Sequence, residues 1–220
     1  KVFEEERELT LMLMVDVSGS ELFGTDEQFK KNILTEISAT LAFSALQNND
    51  KVGLVLFSDE IELYIPPKKG KSHILRIIRE LIEFHPQSNK TDISNAMKFV
   101  SGVMKKKAIV FVLSDFMADP YERTLKILSR KHDVTGIRIY DKQEEQIPNL
   151  GVVPMEDQET GQFQFINTSS KKVRRSYARY FQDRVDYFQE SFSKSGSGAI
   201  SCRMDESYVK KLLAYFKRRG

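Results

Sequence analysis

Asp16-Val17-Ser18-Gly19-Ser20 sets one carboxylate and two hydroxyls on alternate residues, with a glycine that lets the chain turn tightly. Short, hard oxygen donors of this kind suit Mg²⁺ or Mn²⁺, which favour octahedral oxygen coordination and keep some of their water. They suit Zn²⁺ poorly, because no His or Cys takes part. Two further oxygen-bearing residues stand elsewhere in the chain: Thr91, within Lys90-Thr91-Asp92, and Asp115, which follows the apolar run ending at Leu113 and Ser114. Singly, each of these residues is as readily a helix cap or a turn, since Ser, Thr and Asp bond to nearby backbone. Their joint placement is what points to a metal.

That placement depends on the elements around them. Leu9 to Val15 is an uninterrupted apolar run ending at Asp16, as expected for a strand buried on both faces of a parallel sheet, and Ala108 to Leu113 is a second such run. In the usual doubly wound order the first and fourth core strands are neighbours, and ligands bind beyond their carboxyl ends where the strand order reverses. Asp16 and Asp115 would then stand side by side, with Thr91 on the same rim. Between them, Phe29, Ile33, Ile37, Leu41 and Ala45 predict a helix. Val52 to Phe57 and Ile61 to Ile65 are separated by three residues, too few for a parallel crossover, so they predict an antiparallel edge hairpin stopped by Pro66 and Pro67. Ile74, Ile77, Ile78, Leu81 and Ile82 predict a second helix, and Ile93, Met97, Val100 and Met104 a third, capped near Asp92. A helix from about Pro120 to Lys131 and a strand at Val134 to Ile139 continue the alternation. The expected fold is α/β, a doubly wound, Rossmann-like, mostly parallel sheet with one antiparallel edge strand and helices on both faces. A small β-hairpin insertion is expected at about 151–166. A long helix follows, with Val173, Tyr177, Phe181, Val185, Phe188 and Phe192 on one stripe that reads as core and not as a platform for bases. A strand around Ile200 to Met204 and a final amphipathic helix end the chain.

At 220 residues the chain suits a single domain, 1–220, with 40% apolar residues to build a core and 30% charged residues to solvate its surface. A net charge of +3 gives no support to nucleic-acid binding; the basic C-terminal stretch from Lys210 to Arg219 reads as a solvated helix face. Cys202 is the only cysteine, so no internal disulfide can form; it reads as an inert buried thiol, and a reducing cytoplasm fits best. No apolar stretch reaches the roughly 20 residues that span a bilayer, and the acidic opening KVFEEERE is unlike a signal peptide. The first residue is Lys1 and not methionine, so a longer parent chain is expected. His73, His85 and His132 lack metal-ligand spacing and read as surface or helix-end residues.

Asp16, Ser18, Ser20, Thr91 and Asp115 match, at all five positions, the metal-ion-dependent adhesion site of von Willebrand factor A domains, which the chain resembles. The resemblance implies that the serines and the threonine bind Mg²⁺ directly, that the aspartates act directly or through water, and that a partner's Asp or Glu completes the octahedron. More narrowly, FEEERELTLMLMVDVSGS, Leu113-Ser114-Asp115-Phe116 and Asp157-Gln158-Glu159-Thr160-Gly161 resemble the bacterial domain-of-unknown-function family 58 over nearly the whole chain. Full-length members carry a further segment before this point, often after membrane spans, which leaves room for membrane association. Members commonly accompany MoxR-type AAA+ ATPases, so such an ATPase is an implied partner.

Two functions from different classes fit these residues. One is a non-enzymatic module whose metal captures a partner carboxylate. The other is a Mg²⁺-dependent phosphotransferase or hydrolase with Asp16 as nucleophile, since an aspartate after a first parallel strand also occurs in aspartyl-phosphate enzymes. Ser18 stands where those enzymes usually carry a second acid, and a hydroxyl of ordinary pKa is a poor proton-transfer group. No nucleophile elbow, phosphate loop or metalloprotease helix motif is present in the sequence. The binding module is therefore preferred.

Overall fold

The computed structural model describes residues 8–18, 24–156 and 163–219. Six strands form the main sheet: β1 (Thr10–Asp16), β2 (Lys51–Phe57), β3 (Ile61–Lys68), β4 (Ile109–Ser114), β5 (Asp133–Tyr140) and, after a two-stranded insertion, β8 (Gly198–Arg203). Their order is β3-β2-β1-β4-β5-β8, parallel throughout except for the β2–β3 pair. This is the doubly wound sheet with one antiparallel edge strand that the apolar runs predict.

Among the described residues six α-helices cover it: α1 (Gly24–Gln47), α2 (Lys71–Glu83), α3 (Ile93–Val103), α4 (Glu122–Lys131), α5 (Lys171–Lys194) and α6 (Tyr208–Arg219). The period-2 alternation of β1 divides the core. Leu11, Leu13 and Val15 point to a cluster with α1, α2 and α6, whereas Met12 and Met14 point to one with α3, α4 and α5. Burial on both faces is why these strands read as continuous apolar runs.

Several elements differ from the sequence reading. Phe29 is 50% exposed although the apolar stripe of α1 was extended to it. A helix advances about 100° per residue, so a row of i+4 steps drifts about 40° at each step. Ile33, Ile37, Leu41 and Ala45 stay buried, Phe29 has rotated off the face, and Ile82 of α2 is exposed for the same reason. Pro66 and Pro67 lie inside β3, which runs on to Lys68. They are tolerated because β3 is an edge strand with a register shift opposite Val52 and Leu54. α4 begins at Glu122, with Tyr121 as N-cap, two residues later than Pro120 suggests.

His132, expected at the surface or at a helix end, is the C-cap of α4 but buried, and its Nδ1 accepts the Ala108 N–H at 3.2 Å. Burial, followed by the Lys131 charge, holds the imidazole below its ordinary value. Its Nε2 has no partner among the described residues, and protonating Nδ1 would turn an acceptor toward a donor. The stabilisation from a neutral His132 is therefore present above the ordinary imidazole value, about 6.5, and is lost as pH falls through the lower folded value. The denaturation midpoint is expected to drop as pH falls below about 6.5. His132→Gln, which can still accept from Ala108, should flatten that profile; an unchanged slope would remove His132 as its cause.

The insertion between β5 and α5 begins with a 3₁₀ turn, Lys142–Glu145, followed by the antiparallel pair β6 (Val152–Glu156) and β7 (Phe163–Asn167). The Asp157 to Gly161 segment quoted for the family resemblance lies outside the described residues. On α5, Phe181, Phe188 and Phe192 are buried as expected, but Val173 and Tyr177 are only partly buried, and no side chain of residues 171–180 is fully buried. Only the second half of α5 packs as core. Cys202 is buried in β8, where burial pushes its thiol up to about 11. No described helix is long and apolar enough to cross a membrane.

Candidate metal centre

β1 and β4 lie side by side, with α1 on one face of the sheet and α3 on the other, so the crevice at their carboxyl ends is the switch point of the fold. Asp16, the last residue of β1, is 6% exposed. Its Oδ1 accepts the Ser18 N–H at 3.0 Å and the Ser18 hydroxyl, and its Oδ2 accepts the hydroxyl of Ser114, at the end of β4, at 2.6 Å. Ser18 Oγ also hydrogen-bonds Thr91 Oγ1, which comes from a loop 73 residues away. Thr91 is placed by its successor. The Asp92 N–H donates to Ser58 O at 3.0 Å, and the Asp92 carboxylate caps α3 by accepting the Asn95 N–H at 2.8 Å. Val17 N–H donates to Phe57 O at 2.9 Å and ties the β1 loop to the end of β2.

Asp115 follows β4 directly. Its Oδ1 accepts the Met117 N–H at 3.0 Å, and its Oδ2 receives Lys30 Nζ of α1 at 2.9 Å. The same ammonium reaches Glu144 of the 3₁₀ turn at 3.1 Å. The turn is sharp because Phe116 adopts φ 59°, a left-handed conformation costly for a residue with a Cβ. A ring cluster holds it there: Phe116 lies 4.4 Å from Phe188 and 5.4 Å from Phe192, centroid to centroid. Backbone strain beside polar groups that converge on a crevice is characteristic of functional sites.

The charges are unbalanced. Burial and then the neighbouring Asp115 charge push the Asp16 carboxyl up to about 7, against the hydrogen bonds from Ser114 and Ser18. Burial alone would also raise Asp115, but Lys30, then the Met117 N–H and Arg138, hold it below its ordinary value. Arg138 is buried in β5, 4.1 Å from the Tyr140 ring centroid. Asp115 and Glu144 thus face the two cations Lys30 and Arg138, whereas Asp16 has the like charge of Asp115 beside it. Among the described residues no group of three or more His, Cys, Asp and Glu side chains is placed to hold a metal. The donor set here is instead two carboxylates with the hydroxyls of Ser18 and Thr91, the hard oxygen chemistry that fits Mg²⁺ or Mn²⁺.

Of the five candidate ligands, Asp16, Ser18 and Thr91 are hydrogen-bonded together and Asp115 lies beside them on the neighbouring strand. Ser20 lies outside the described residues. Sequence reasoning did not assign Ser114, Lys30, Glu144 or Arg138. Lys30 carried a signal: it stands seven residues before Ile37, almost directly under it on the helix, so a lysine interrupts the buried stripe.

A family model described as protein of unknown function DUF58 matches residues 1–186. The chain belongs to that family. Its fold is the doubly wound sheet with the strand order and switch-point crevice given above. An uncharacterized protein of Mycobacterium tuberculosis is 21% identical to it over a match 220 positions long that covers 98% of this chain and 69% of that protein. An aerotolerance-related membrane protein from Bacteroides fragilis overlays with a TM-score of 0.57 at 15% identity, over 95% of this chain and 97% of that one. The conserved hypothetical protein BatB from Bacteroides thetaiotaomicron gives 0.55 at 12% identity, over 96% and 97%. At these identities the structural likeness establishes the fold.

Proposed function

We propose that this DUF58 domain, acting over 1–220 as one unit, is a non-enzymatic protein-binding module that holds Mg²⁺ or Mn²⁺ and captures a carboxylate of a partner protein. The observation that carries the reading is the Ser18 hydroxyl, which bonds both the Asp16 carboxylate two residues away and the Thr91 hydroxyl of a loop 73 residues away. Asp16, Ser18, Ser20, Thr91 and Asp115 would hold the ion. A bound divalent ion would supply positive charge and an open position for one further oxygen ligand. Asp16 and Asp115 provide negative charge, the hydroxyls fix the direction of approach, and Ser114 and the Asp92 cap hold these groups in place. Ser18, whose one hydroxyl proton is donated to Asp16, is no general acid, and this favours binding over phosphotransfer. A MoxR-type AAA+ ATPase is the partner class that the family resemblance supports. A cytoplasmic location is proposed for the domain itself, with membrane association through some other segment of the parent protein consistent with its likeness to a membrane protein.

Lys30 provides the test. Its ammonium competes with a cation for Asp115 and repels a divalent ion nearby. Calorimetric titration with Mg²⁺ is expected to give measurable binding to the wild type and about tenfold tighter binding to Lys30→Met. Absence of binding by both proteins would sink the metal-site reading.

A further inference from the structure

The insertion and the start of α5 enclose a second feature that the metal site does not explain. Ile147, Ile166, Val173, Ser176 and Tyr177 line an open, largely apolar groove of about 490 Å³, with Lys172 at its edge. α5 opens with Lys171, Lys172, Arg174, Arg175 and Arg179, and no Asp or Glu occurs anywhere in residues 163–182. Positive charge at a helix N-terminus opposes the macrodipole, so this distribution does not serve the helix itself. Arg174 donates to Thr168 O, but among the described residues the side chains of Lys172, Arg175 and Arg179 make no hydrogen bond or ion pair. At about 100° per residue, Arg175 and Arg179 fall within about 60° of Lys172, on the side away from Val173 and Tyr177. A basic stripe therefore runs along one edge of an apolar groove.

The groove also adjoins the candidate metal centre. Tyr177 forms part of its wall, and the charges of Glu144, Lys30 and Asp115 act on the Tyr177 hydroxyl. The 3₁₀ turn that carries Glu144 packs against α5. A chain segment with one carboxylate at the metal would pass over Tyr177 into the groove.

We propose that this groove and its basic stripe form the second half of the partner site, receiving a protein segment in which acidic and apolar side chains alternate. Acidic groups pair with Lys172, Arg175 and Arg179 while apolar groups fill the space between Ile166 and Val173. The proposal rests on the metal-site reading for its first contact and on the groove for the rest. An anionic membrane is the less suitable occupant: it has no side chains to fill a concave groove, and the residues joining β6 to β7 include Asp157 and Glu159.

The test uses the full chain and a fluorescein-labelled peptide of glutamate alternating with leucine and phenylalanine, followed by anisotropy at about 50 mM salt, where charge pairing is weakly screened. In EDTA the wild type is expected to bind the peptide, and the exposed triple variant Lys172→Glu, Arg175→Glu, Arg179→Glu to bind at least about tenfold more weakly. Peptides with lysine in place of glutamate, or serine in place of the apolar residues, should fail to bind. The corresponding triple glutamine variant, which retains helix propensity, should lie between the two. Equal binding by wild type and triple variant, no binding of the peptide, or stronger binding to phosphatidylcholine–phosphatidylglycerol vesicles than to the peptide would each overturn the proposal. Peptide binding in EDTA that Mg²⁺ does not tighten would leave the groove standing and count against the metal site alone.

Discussion

Exchanging Asp16 for asparagine is expected to weaken Mg²⁺ binding by about 100-fold or more while leaving the protein folded, because the change removes a charged ligand and keeps the shape of the side chain. Burial and Asp115 raise the Asp16 carboxyl to about 7, so below that pH a proton must leave before a cation can bind. Wild-type affinity should therefore fall by up to about tenfold per pH unit on acidification below about 7 and level off above it; the asparagine variant should lose this slope. The same raised value gives the opposite sign for stability. A carboxyl raised above its unfolded value favours the fold at low pH, and that contribution is lost as pH rises through 7. In EDTA at about pH 8 the asparagine variant should melt no lower than the wild type. Calorimetry across this pH range together with thermal melts decides the matter: unaltered affinity would remove Asp16 from the site, and a collapsed melting transition would make it a structural residue.

Truncating Phe192 to alanine is expected to cost about 3–5 kcal/mol of stability, the range for a large ring removed from a core that cannot close over the gap. Phe192 is fully buried, with its centroid 4.9 Å from Phe188 and 5.4 Å from Phe116. Its ring rests on Gly136 of β5, where an added Cβ would lie 2.5 Å from Phe192 Cζ. Gly136→Ala alone should therefore destabilise by overpacking, yet be better tolerated in the Phe192→Ala background, where the two closest contacts are gone and only Phe188 Cε2, 2.8 Å from the added Cβ, must shift. Urea midpoints of the two single variants and the double variant test this; additive losses would show that the ring and the glycine do not share one space. Because the cluster also holds Phe116 in its left-handed conformation, Phe192→Ala should weaken Mg²⁺ binding without touching a ligand.

The sheet was legible from the sequence because β1 and β4 are buried on both faces, so their sequences contain almost nothing but apolar residues up to the polar residue that ends each strand. That pattern placed Asp16 and Asp115 on adjacent strands, and the Asp92 cap brought Thr91 to the same rim. The ions around Asp115 were not legible. Lys30 and Glu144 meet there from positions 114 residues apart; the place of Lys30 on the buried stripe of α1 marks it as unusual, but nothing in the sequence marks Asp115 or Glu144 as its partners. The prolines of β3 were misread because a proline breaks a strand only where its missing N–H is needed, and the strand's place at the sheet edge is a tertiary fact. His132 was legible as a helix-end residue but its burial was not, because the partner of its ring, the Ala108 N–H, lies 24 residues away.

The hydrogen bond from Ser114 to Asp16 joins residues 98 positions apart. The parallel pairing of β1 with β4 beneath it closes a loop of the same length, the kind of contact that forms late and slowly. The crevice at the carboxyl ends of these strands cannot exist in a chain whose N-terminal half alone has folded, however well α1, β2 and β3 have assembled. An ion bound there would stabilise interactions absent from the early folding nucleus, so it would retard unfolding and leave the refolding rate nearly unchanged. On the proposed function, such a domain would become competent to hold a partner only once β4 has docked, so partner binding would report that the α/β core is complete.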